Sequence, residues 1–301
     1  MPVQPLPLPF DPAAISGLSE KLLRSHHANN YGGAVKRLNA IRTELAGLDP
    51  ATAPGFVWNG LKREELIATN SMLLHELYFA SIAASPQEMD PACALALAAN
   101  FGSVERWRAE FSACGKAQAG GSGWMLLTFL PREGTLVDQW AADHTHAVAG
   151  GVPILALDMY EHAYHMDYGA GAAAYVDAFM ATIAWQHVYA RYQAAVHAAT
   201  EPLACSAEEV GDALVVDVRR AAVFEGAETM IAGATRRDPQ QVADWAGELE
   251  PGRPLVVYCV YGHEVGRATA LRLRAAGHEV RFLRGGMAGW ESAGRPVRAR
   301  P

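Results

Sequence analysis

Cysteine is scarce in this chain, four residues in 301, and Cys93, Cys114, Cys205 and Cys259 form no CxxC or other close spacing. That pattern indicates neither a disulfide framework nor a thiolate metal site, and it makes a reducing, cytoplasmic location the expectation. Basic residues are outnumbered, 25 Lys and Arg against 32 Asp and Glu, for a net charge of −7. A sequence-independent hold on nucleic acid or on an anionic membrane needs a basic surface, so neither is expected as a partner. A small anionic substrate would have to be drawn in by local positive charge, such as a metal ion or a few arginines. Long apolar runs are missing as well. Stretches such as GWMLLTFL from Gly123 fall far short of the ~18 to 20 residues that cross a bilayer. The opening MPVQPLPLPFDPAAIS has no basic segment followed by an apolar core, so no secretory signal is expected.

What is present suits a globular protein with a real core, half of the residues being hydrophobic and 19% charged. The length suggests two domains. Apolar positions at helical spacing run through Leu22, Leu23, Val35, Leu38, Ile41 and Leu45, and again from Leu66 to Ile82. A loop with Pro50, Pro54 and Gly55 between them predicts an antiparallel helical hairpin over about 1–85. From about 90 the pattern changes: a helix at VERWRAEFSACGKAQ, strand-length runs at GWMLLTFLP, GTLVDQWA and PILALD, then one closing helix, YVDAFMATIAWQHVYARYQAAV. This first part is α+β. The segment 197–206 loses its apolar period and holds Pro202, which marks a linker. Beyond it, over 207–301, β-branched runs (ALVVDV, PLVVYC, EVRFL) alternate with helical ones, the rhythm of an α/β domain with a parallel sheet.

Asp158 and His162 lie four apart in DMYEHAYH, and His26 and His75 stand far upstream. Three imidazoles and one carboxylate suit Fe, Mn or Zn better than Mg or Ca. Taken alone, the Asp-x3-His pair is also what a surface carboxylate beside an ordinary histidine looks like.

The order and spacing of several motifs decide between these. LPLPFDPAAIS, His26 in the first helix, HELYF with His75, GSGW over 121–124, DMYEHAY from Asp158 and IAW ending at Trp185 together make residues 1–196 resemble the iron/manganese superoxide dismutase family. The resemblance implies a helical hairpin followed by an α/β half, and one Fe or Mn ion per subunit held by His26, His75, Asp158 and His162. It implies superoxide as substrate, with a bound solvent molecule whose hydrogen bonds tune potential and proton supply. It also implies a homodimer. Trp124, Phe79 and Tyr160 occupy the aromatic wall, the last two where tryptophan is common. The solvent's hydrogen-bond partner falls to His144 in DHTH, with His146 less favoured, because Ser71 stands where some members carry glutamine. Ala34 and Asn30 replace a tyrosine and a histidine of the substrate channel. Glu161 keeps the residue that reaches across the family's dimer interface, and His165 replaces a tyrosine there, so a His165–Asn30 contact across a dimer is an expectation. The first shell is intact and the next one rewired.

In the last third, Cys259 ends the strand PLVVYC and precedes a helix beginning near Arg267, a place where backbone N–H groups stabilise a thiolate or cradle an oxyanion. The same position suits a buried cysteine without chemistry. VVDVR over 215–219, IAGA from Ile231, VVYCVYG around Cys259 and LRGGMAGW over 283–290 make residues 207–301 resemble a rhodanese domain. That resemblance implies a persulfide carried on Cys259. Glu264 stands where an arginine is common, next to His263; an acid there opposes the thiolate and a protonated His263 favours it, which leaves a persulfide donor easier to accept than thiosulfate. Arg219 and Arg267 are the candidate anion contacts. The rival to the dismutase reading is a dimeric, non-dismutating metal-binding scaffold or sensor whose chemistry lies at Cys259.

Overall fold

A computed structural model describes all 301 residues. Helix α1 (Glu20–Ser25) starts at Ser19, whose hydroxyl accepts from the Leu22 amide, the N-cap that satisfies an otherwise orphaned donor. It widens into a π-helical turn, His26–Tyr31, and continues as α2 (Gly32–Gly47). Such turns shift the face a helix presents, and here His26 is carried inward while His27 stays at the half-exposed edge. Helix α3 (Gly55–Phe79) returns antiparallel. It begins eleven residues before its apolar period does. That first stretch is held on the surface by ion pairs from Arg42 to Glu65 and Arg37 to Glu64, so charge and helix propagation set its start rather than burial.

Helix α4 (Pro91–Phe101) was not expected, since PACALALAANF is apolar nearly throughout and shows no period; Asp90 caps it and Pro91 opens it. After α5 (Val104–Ala117) come strands β1 (Trp124–Leu130), β2 (Thr135–Ala141) and β3 (Val152–Asp158), antiparallel in the order β2-β1-β3. Trp124 therefore lies opposite both Ala141 and Asp158. Short α6 (His165–Tyr168) leads to α7 (Ala172–Ala181) and α8 (Trp185–Thr200). The closing helix is thus two helices. Between them Ile183 bridges Ile82, the Ala83 amide donates to the Thr182 carbonyl at 2.8 Å, and the Ala184 amide donates to the Ser81 carbonyl at 2.8 Å. Those partners come from a segment a hundred residues away in sequence, which local periodicity cannot register.

The remaining chain builds β4 (Ala204–Cys205), β5 (Leu214–Asp217), α9 (Ala221–Glu225), β6 (Thr229–Ile231), β7 (Thr235–Arg236), α10 (Val242–Trp245), β8 (Leu255–Tyr258), α11 (Glu264–Ala275), β9 (Val280–Leu283), α12 (Gly286–Ser292) and β10 (Val297–Ala299). Five of these strands form a parallel sheet in the order β4-β9-β8-β5-β7. The segment 197–206 is built into the fold. It comprises the end of α8, one 3-10 turn and β4, which pairs Ala204 and Cys205 with Phe282 and Leu283. A turn and a two-residue edge strand carry no apolar period, hence the appearance of a linker.

The two parts share a core. Ala268 and Leu271 of α11 belong to the same apolar cluster as the first sheet and its helices. At the tip of the β1–β2 turn, Gly134 has φ +67, and a Cβ there would lie 2.6 Å from the Leu271 Cβ. Only glycine suits that approach. No helix is long and apolar enough to cross a membrane.

Candidate metal centre

Each of the four candidate ligands is delivered by a different piece of the fold: His26 by the π turn, His75 by the last turn but one of α3, Asp158 by the end of β3, and His162 by the 3-10 turn that follows. Their ligand atoms all lie within 4.8 Å of one another. The Asp158 Oδ2 is 3.0 Å from His26 Nε2, 3.2 Å from His162 Nε2 and 3.5 Å from His75 Nε2. His26, His75 and Asp158 are buried, and His162 is half-buried.

Neighbouring groups orient these donors. His75 Nδ1 lies 2.6 Å from the Ser71 carbonyl, so Nδ1 carries the proton and Nε2 keeps its lone pair for the centre. The Tyr160 amide donates to the Asp158 Oδ1 at 2.9 Å, leaving Oδ2 to face the histidines. Burial pushes both His26 and His75 below the ordinary imidazole range, His75 to about 3. Burial opposes ionisation of Asp158, but its contacts with His162 and His26 overcome it and hold the carboxyl below its usual range. An ionised carboxylate beside His26 and His75, both pushed toward the neutral form, is ready to bind a divalent transition metal, and the donor set suits Fe or Mn.

Aromatic rings flank these donors. Phe79 lies 5.0 Å from His26, Trp124 5.2 Å from His75 and Tyr160 5.4 Å from His162, centroid to centroid. Trp124 Nε1 donates to His144 Nδ1 at 2.9 Å, so neutral His144 carries its own proton on Nε2. Its ring stacks on Tyr160 at 4.7 Å and lies 6.2 Å from His75. His146 instead is exposed, against Trp140. Glu161 and His165 are exposed and Asn30 is half-buried. Two residues went unremarked in the sequence: Tyr31 donates to Glu76 Oε1 at 2.8 Å and accepts from the Leu6 amide at 2.7 Å, closing the proline-rich entry over the π turn. The only hint was that each stands beside a motif histidine's helix face.

Cys259 follows β8 and is 6% exposed. Burial pushes its thiol up, against amides of Gly266, Gly262, His263 and Tyr261 that favour the anion. The predicted surroundings change here. The Glu264 carboxylate accepts from Tyr189 (2.8 Å) and Gln193 (3.3 Å) of α8 and from Arg220 (3.0 Å). The acid therefore fastens the cysteine loop to the first part of the chain. Arg219 and Arg267, expected as anion contacts, are occupied internally. Arg219 forks onto Asp217 and donates to the Thr229 carbonyl, while Arg267 donates to the Gly262 carbonyl, Thr200 and Glu201. His263 remains exposed, with His197 of α8 6.2 Å away and Tyr261 5.6 Å away, centroid to centroid.

Comparison with known proteins separates the same two parts. Residues 89–191 match the family profile described as iron/manganese superoxide dismutases, C-terminal domain, and residues 205–293 match the rhodanese-like domain. A protein of Cupriavidus metallidurans named Superoxide dismutase [Fe] is 66% identical over 190 residues, 63% of this chain and 96% of that protein. Superoxide dismutase [Mn] 1 of Halobacterium salinarum is 35% identical over 192 residues, covering 63% and 94%. Superoxide dismutase [Fe] of Aquifex aeolicus is 29% identical over 194 residues, covering 62% and 90%.

Proposed function

The chain belongs to the iron/manganese superoxide dismutase family, and from that membership we propose that it disproportionates superoxide at one Fe or Mn ion per subunit, held by His26, His75, Asp158 and His162. Two superoxide anions and two protons yield dioxygen and hydrogen peroxide. When bound, the ion supplies one-electron chemistry between two oxidation states. The chain's own residues do the rest. The Ser71 carbonyl and the Tyr160 amide aim the donors. Phe79, Trp124 and Tyr160 exclude bulk water from them. His144, held by Trp124, offers an Nε2–H donor beside the centre in the role of proton carrier. The observation that carries this reading is the convergence of four donor atoms, far apart in sequence, within 4.8 Å. It favours the dismutase over the scaffold reading, since nearly the whole length of named dismutases aligns with this part of the chain. Elemental analysis and a superoxide assay on wild type and His162→Ala test it: stoichiometric Fe or Mn with activity lost in the variant is expected, and a metal-loaded but inactive wild type would refute it.

For the rhodanese-like part, 207–301, we infer sulfur handling at Cys259. With Arg219, Arg267 and Glu264 all committed elsewhere, His263 and the loop amides are what face a donor, which favours a persulfide over doubly charged thiosulfate. Sulfur transfer to cyanide, abolished by Cys259→Ser, is the expected result. The exposed Glu161 and His165, with Asn30, suit a homodimer contact, and the reducing cytoplasm suits four unpaired cysteines.

A further inference from the structure

Between the two parts of the chain lies a cleft walled by α4, α8 and α11. Its cavity volume is about 50 Å³, where one water needs ~10 to 15 Å³, so it suits a ligand of a few heavy atoms. Helix α4 lines it with Ala92, Leu95 and Ala96, an apolar wall. Three charged side chains face it, Arg220, Glu264 and Arg272, two positive and one negative. Arg220 and Glu264 pair with each other at 3.0 Å. Arg272 meets no carboxylate; it donates only to neutral oxygens, Asn100 Oδ1 at 2.8 Å and the Gly134 carbonyl at 3.3 Å. Beside it Tyr192, 5% exposed, lines the cleft with a hydroxyl that has no hydrogen-bond partner in the chain. A phenol without a hydrogen-bond partner in the chain and a guanidinium without a carboxylate therefore line one small cavity.

We propose that this cleft binds a small monocarboxylate with a short alkyl tail, its oxygens accepting from Arg272 and the Tyr192 hydroxyl and its tail lying on the α4 wall. The charge balance selects an anion, and the size and apolar wall select a carboxylate with a few carbons. Clefts between domains are common ligand sites. Glu264 also ties the Cys259 loop to α8, so the occupant braces the junction between the two parts and raises the melting temperature of the whole chain. The site stands apart from the metal centre, and its test does not depend on activity.

The experiment is isothermal titration of the full-length protein with sodium butyrate, with butyramide as the neutral counterpart. Saturable binding of butyrate and none of butyramide is expected. Tyr192→Phe removes a hydroxyl without an internal partner, so the fold should hold while affinity falls about tenfold or more, as for one hydrogen bond to a charged acceptor. Arg272→Lys should weaken binding as well, by losing the planar fork. Absence of saturable butyrate binding, equal binding of butyramide, or unchanged affinity in Tyr192→Phe would each overturn the proposal.

Discussion

Asp138 is a carboxyl the fold would rather keep protonated, and replacing it with asparagine should make the protein more stable in alkaline solution and leave it about unchanged in acid. It sits on β2 facing α5, where Trp107 Nε1 donates to its Oδ1 at 3.1 Å while Oδ2 is buried without a partner. Burial, reinforced by the charge of Glu110, pushes its pKa from 3.8 up to about 7. The folded state thus binds the proton more tightly than the unfolded state. Its stabilising contribution is full below pH 3.8 and is lost as pH rises through about 7. Each pH unit between the two values is worth about 1.4 kcal/mol for one group, which sets a ceiling of about 4 kcal/mol at pH 8. Solvent reaching this partly exposed side chain lowers that to about 2 to 4 kcal/mol. Asp138→Asn keeps an acceptor for Trp107 but adds an amide donor where no acceptor waits, a cost of about 1 to 3 kcal/mol. The net expectation is a gain of about 1 to 2 kcal/mol at pH 8 and none, or a small loss, at pH 5. Urea unfolding of both proteins at the two pH values, in one metal state, measures it. The same difference at both pH values would refute the reasoning.

His144→Ala should lower superoxide turnover by ~10- to 100-fold, the usual effect of removing a group that supports a metal site, while His146→Ala should change it little; equal effects would remove His144 from the role. Gly134→Ala should destabilise the junction by about 2 to 5 kcal/mol, combining a left-handed backbone with overpacking against α11, and calorimetry should then show the two parts melting separately; one unchanged transition would count against the shared core. Because burial holds the Cys259 thiol protonated, iodoacetamide should label it more slowly at pH 7 than a free thiol, with the rate climbing beyond pH 9. Labelling at the free-thiol rate would contradict that.

Much of this molecule was legible before folding. The apolar periods of α2 and α3 and the β-branched runs of the parallel sheet are local signals, because each element buries one face at a fixed spacing. The four residues whose donor atoms converge were named from sequence too, since the residue types a metal needs are few and their motifs keep their order. Other features answered to partners distant in sequence. The break before Trp185 exists because Ser81 and Ala83 offer their backbone there. Helix α4 forms from a stretch with no period, and segment 197–206, which has the composition of a linker, completes a sheet by pairing with β9. The clearest case is Glu264. By position in the chain it is an acid beside a cysteine; in three dimensions Tyr189, Gln193 and Arg220 claim its carboxylate. Sequence by itself determined most of the elements and the candidate residues for metal and sulfur chemistry, because spacing and residue type are properties of the chain. Only tertiary structure decided which charges stay free to act, because a charged side chain's partner is whichever group packing brings within about 3 Å, however far away it lies along the sequence.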